Sequence, residues 1–147
     1  MKLFTSKSLD EVPAIADAWL KTIFREYADR KQALVIGLSG NLGAGKTAFV
    51  KSVAKLLGID QIVTSPTFVI MKKYQTAQNE FKNLIHIDAY RLERREDITS
   101  LGFEALVSDK GNLIMIEWPE NVGLDRDDLT QLLSFEIKDG TYMISYV

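Results

Sequence analysis

Apolar residues along the chain fall into two rhythms, and the elements follow from them. Between residues 12 and 27 the larger apolar side chains are Val12, Ile15, Trp19, Leu20, Ile23, Phe24 and Tyr27. That spacing predicts a helix with one buried face. Asp10 is the preferred cap, because it keeps Pro13 inside the first turn; a Ser8–Glu11 capping box would push Pro13 beyond it. "ALVIGL" at 33–38 is short, apolar and bounded by glycine, which predicts a buried strand. A helix over 47–57 follows, stopped by Gly58.

After the loop "QIVTSPTF", the segment "FVIMKKYQT" pairs across "AQNE" with "FKNLIHID". "ERREDITSLGFEALVSD" is mostly helical and breaks near Gly102, and "NLIMIEW" at 112–118 is another buried strand. The final "LLSFEIKDGTYMISYV" alternates on both arms about Asp139-Gly140, the signature of a hairpin. Strands alternating with helices predict an α/β fold, a mixed sheet flanked by helices with a C-terminal β-hairpin. Ligands of such sheets gather at the carboxyl ends of the strands.

One stretch at such an end carries chemistry. "GNLGAGKT", residues 40–47, fits G-x-x-x-x-G-K-[ST] between a predicted strand and a predicted helix. The glycines let backbone N–H groups converge on phosphate oxygens, and the helix start adds its dipole and unpaired amides. Lys46 offers a compact charge to the outer phosphates and Thr47 a hydroxyl to magnesium. Nucleotide contacts are therefore expected along Asn41, Leu42, Gly43, Ala44, Gly45, Lys46, Thr47 and Ala48, with ATP and Mg2+ as cofactors. No N-K-x-D guanine-reading signature appears, which favours ATP over GTP. Adenine contacts are expected from residues 4–8.

A phosphate loop also needs an acid at a neighbouring strand tip. "LIHID" offers Asp88 and "LIMIE" offers Glu117, and the sequence alone does not rank them. Alternation puts His86 on the face of Asp88, where it either orients that carboxylate or a nearby loop, or is simply a core histidine. Trp118 is expected to face away from Glu117, into the core or toward a partner. Arg91 is either a phosphate contact or a solvated charge. Pro66 stiffens "TSPTF", so that loop can present the Ser65 and Thr67 hydroxyls.

Composition trims the alternatives. The 147 residues, 46% hydrophobic and 26% charged, fit one soluble domain. A net charge of -2 argues against a surface that grips nucleic acid directly. No cysteine is present, which removes thiolate and disulfide chemistry and suits a reducing cytoplasm. The opening residues do not read as a secretory signal, and no stretch approaches a membrane span, so the protein is expected to be cytoplasmic, with no membrane partner.

"GNLGAGKT", "TSPTF", "HIDAYRL" and "IEWPE" occur in that order and spacing, and this set resembles the TsaE (YjeE) family of small P-loop ATPases. The resemblance runs from about residue 34 to 120. It implies a role in threonylcarbamoylation of the adenosine next to the anticodon in tRNAs reading codons that begin with A. It further implies work with TsaB and TsaD homologues, tRNA being met only through that complex, and ATP hydrolysis that supports its cycling. By the same likeness Lys46 meets phosphate, Thr47 and Glu117 hold magnesium, and Asp88 is the Walker B-like acid. Ser65 and Thr67 would then lie in a switch-like loop near the γ-phosphate, giving Lys46, Asp88, Glu117 and Thr67 as the catalytic set. Ala48 replaces a threonine common in the family, and Val12 another in the first helix. A small-molecule kinase is the main alternative, although no segment reads as an arginine-bearing lid; a nucleotide-dependent docking module is another.

Overall fold

The computed structural model describes residues 2–61 and 70–146. Its frame is a seven-stranded sheet built from β1 (Lys2–Ser6), β2 (Leu34–Gly40), β3 (Met71–Gln75), β4 (Asn83–Asp88), β5 (Asn112–Glu117), β6 (Gln131–Lys138) and β7 (Thr141–Tyr146). The spatial order is β1-β7-β6-β2-β5-β4-β3. The middle four strands, β6, β2, β5 and β4, run parallel, while β3 and the β7–β1 pair are antiparallel additions at the two sides. The mixed sheet, its flanking helices and the C-terminal hairpin are as the pattern of residues predicts.

Two-sided burial explains why the central strands read as unbroken apolar runs. On one face Leu34, Ile36, Leu38, Leu84, Leu113 and Met115 pack under α1 (Val12–Glu26) and α2 (Lys46–Leu56). Trp19 of α1 meets Phe49 of α2 edge-on at 5.3 Å, and its indole N–H donates to Gln131 at 3.0 Å, so this large buried ring leaves no polar atom unpaired. On the other face Val35, Ile85, Ile87, Ile114 and Ile116 pack under α3 (Arg95–Thr99), α4 (Phe103–Ser108) and a short 3-10 turn, Pro119–Val122.

Two boundaries depart from expectation. Asp10 does not cap α1: a 3-10 turn, Leu9–Glu11, leads into the helix and Glu11 holds the N-cap position. Pro13 does lie in the first turn, where its missing N–H costs nothing. Residues 2–6 form an edge strand on β7, and Phe4 stacks on Tyr146 with centroids 6.0 Å apart. The final hairpin turns where expected, with Asp139 at φ 51° and Gly140 at φ 76°, the pair of positive values a tight two-residue turn demands.

Candidate functional site: a glycine loop beside a buried acid

Three strand tips meet at one place because β4, β5 and β2 are parallel neighbours. Asp88 lies beside Glu117 in register, and Glu117 lies beside Leu38, two residues before the loop that leaves β2 at Gly40. That loop must pass close to β6. Gly40 has φ 148°, and a side chain there would collide with the Phe135 carbonyl oxygen. Gly45, at φ 104°, is the N-cap of α2 and provides no side chain to cap it. The first amides of a helix have no intrahelical partner, so the start of α2 presents donors and a positive dipole end toward the loop.

Lys46 is almost fully buried at 4% exposure. Its ammonium donates to the carbonyls of Gly40 and of Asn41, the latter at 2.9 Å, and sits 4.5 Å from the Trp118 ring centre. Burial pushes the Lys46 ammonium below its ordinary value, while Glu117, Glu120 and Asp88 pull it back up. Next in sequence, the Thr47 hydroxyl donates to Glu117 Oε1 at 3.1 Å, with Oε2 at 3.3 Å. Glu117 is buried, and its Oε2 also accepts from His86 Nε2 at 2.6 Å. A buried carboxylate held by two donors has its desolvation offset and its orientation fixed.

Asp88 has a different setting. It is half-buried, and its Oδ1 accepts the Tyr90 amide at 3.0 Å, which turns the chain sharply after β4. Asn121, in the 3-10 turn after β5, donates to the carbonyls of Ala89 and Tyr90 at 3.2 and 3.1 Å. The exits of β4 and β5 are thereby tied together.

A cleft of about 390 Å³ opens beside these groups. Leu42, Gly43, Gly45, Lys46, Thr47, Ala48, Asp88 and Glu117 line it, together with Leu9, Tyr90, Arg91 and Trp118. Asn41 and Ala44 shape the loop instead: the Ala44 amide donates to the Asn41 carbonyl at 3.1 Å. Ser65, Pro66 and Thr67 lie outside the described residues. Among the described residues no cluster of three His, Asp or Glu stands ready for a metal. A magnesium ion fits the site nonetheless, because it keeps several waters and needs only one or two protein oxygens beside phosphate; Thr47 Oγ1 and the Glu117 carboxylate are such oxygens.

Two expectations need correction and a third needs extending. His86 reaches Glu117 rather than Asp88, because the side chain crosses diagonally to the neighbouring strand on the same face. Trp118 does pack against the core under α3 and α4, as expected, but at φ 61° it leaves β5, and its ring also lies 4.5 Å from the Lys46 ammonium and 5.2 Å from Tyr90, at the cleft. None of residues 4–8 lines the cleft; Leu9, one residue later and 43% exposed, does.

Comparison with known proteins agrees with this geometry. The family model described as "Threonylcarbamoyl adenosine biosynthesis protein TsaE" matches residues 8–143. The tRNA threonylcarbamoyladenosine biosynthesis protein TsaE of Treponema pallidum is 36% identical over 107 residues, 73% of this chain and 76% of that protein. Its namesakes in Rickettsia prowazekii and Bacillus subtilis are 41% and 42% identical over 58% and 57% of this chain; the match spans 57% and 49% of their own lengths. The crystal structure of Bacillus subtilis YdiB superposes with a TM-score of 0.69 at 26% identity, covering 99% of this chain and 83% of that one. Loop, strand-tip acids and overall fold thus converge with the sequence match: this chain belongs to the TsaE family.

Proposed function

We propose that the protein binds ATP with Mg2+ and hydrolyses it in support of tRNA threonylcarbamoylation. The modified base is the adenosine next to the anticodon in tRNAs reading codons that begin with A, and TsaB and TsaD homologues are the partners. The observation that carries this reading is the Thr47 hydroxyl 3.1 Å from the buried Glu117 carboxylate, directly after Lys46 at the end of a glycine loop. A hydroxyl, a carboxylate and an ammonium at a helix start match the needs of a magnesium-bound triphosphate. On binding, Lys46 exchanges the Gly40 and Asn41 carbonyls for phosphate oxygens, and Thr47 and Glu117 hold the metal, which neutralises phosphate charge. Asp88 stands at the adjoining tip as the second acid. Apolar Leu9 and Leu42, both exposed at the cleft, suit an adenine ring.

A net charge of -2 agrees with tRNA being handled by the partners rather than by this surface, in the cytoplasm where that tRNA is processed. Among the described residues no helix is long and apolar enough to cross a membrane. Purified protein with ATP and magnesium, assayed with and without the TsaB–TsaD pair and tRNA, tests the proposal. Hydrolysis stimulated by the pair and abolished by Lys46→Ala is expected. No heat on titrating ATP and magnesium into the folded protein, or turnover indifferent to the pair, would overturn it.

A further inference from the structure

We infer that His86 is a positioning residue that fixes the Glu117 carboxylate for magnesium, a role that rests on Glu117 being a metal ligand as proposed above. A carboxylate only accepts hydrogen bonds, so the hydrogen shared at 2.6 Å between His86 Nε2 and Glu117 Oε2 belongs to the imidazole. Glu117 is therefore held from two sides, by Thr47 from α2 and by His86 from β4.

The two donors are not equivalent. Thr47 lies at the cleft and is itself offered to the cation. His86 is wholly buried, does not line the cleft, and its Nδ1 meets no partner among the described residues. Its bond to Glu117 is thus the one that magnesium arrival leaves in place, and solvent does not reach it to substitute. Glu117 has three rotatable side-chain bonds, and among the described residues the imidazole is the partner that fixes Oε2 independently of the metal site. Partners that orient a ligating group commonly change metal affinity by about 10–100-fold when removed. Asp88, on the face and strand of His86 itself, takes its described bond from the Tyr90 amide instead.

The test is calorimetric titration of ATP into folded protein, once in magnesium and once in EDTA, for the wild type and three variants whose fold is checked by thermal unfolding. The ratio of the two affinities reads the metal gain without any turnover. His86→Leu should keep the metal-free affinity and lower the gain about tenfold. His86→Gln places an amide N–H near the imidazole Nε2 and should restore most of it, whereas the shorter His86→Asn should not. If His86→Leu fails to fold, the contrast between Gln and Asn carries the test. A full metal gain in both His86→Leu and His86→Asn overturns this role while leaving the ATP and magnesium reading intact. A wild type that binds ATP equally in magnesium and EDTA overturns both.

Discussion

Gly40 illustrates how tightly single residues are set around the loop. A methyl group there meets the backbone oxygen of Phe135 in β6, which cannot swing away, and φ 148° is a backbone region that L residues rarely adopt. Gly43 shares the conformational problem at φ 79° but has nothing within 4 Å of a built methyl. Gly40→Ala should therefore cost about 3 kcal/mol or more, and Gly43→Ala about 1 kcal/mol, in urea unfolding. Equal losses would show that strain and not the approach to β6 dominates. At this scale the sequence is legible where partners are near in the chain. Lys46 and Thr47 declare themselves because the loop is continuous, whereas His86 and Glu117 lie 31 residues apart and meet only through strand register. Trp118 was legible as a core residue but not as a site group, because alternation along β5 does not foretell the positive φ at which it leaves the strand.

At the scale of elements, α3 is fastened to the segment after the second 3-10 turn by Arg95, whose two terminal nitrogens each lie 3.0 Å from an Asp128 oxygen. Asp128 also accepts the Asp125 amide at 3.1 Å. The Arg95 hydrogen bonds, then that amide, hold the Asp128 carboxyl below its ordinary value. A carboxyl whose folded value is depressed stabilises the fold above its unfolded value, near pH 4, and loses that contribution as the pH falls through the folded value. Asp128→Asn should thus lower stability at pH 7 by about 0.5–1 kcal/mol, an exposed pair being screened, and by less at pH 3. A deficit that stays constant between the two pH values would assign the effect to something other than the carboxylate. Helices and hairpins were mostly readable because their signals are local: the Asp139-Gly140 turn, the Gly102 break and the Gly58 stop. The start of α1 was not, since Glu11 occupies the N-cap position without a side-chain capping bond, and β1 was not, since five mixed residues become a strand only when β7 is beside them.

For the whole molecule, occupation of the cleft should feed back on folding. Magnesium-ATP at a hundredfold excess over its dissociation constant should add about 2.7 kcal/mol, a rise in melting temperature of roughly 5–11 °C for a chain of this size. Lys46→Ala should melt at nearly the same temperature with and without the nucleotide; a persistent rise in that variant would locate binding elsewhere. Strand order was the least legible feature, because β6 reaches its place beside β2 from the far end of the sequence.

That order has a mechanical consequence. The loop and both strand-tip acids hang from β2, β5 and β4, all interior, while β1 and β3 form the margins of the sheet. Fraying begins where backbone groups are bonded on one side only. Opening of those margins should therefore leave β2, β5 and β4, the three struts behind the glycine loop and its acids, bonded to one another.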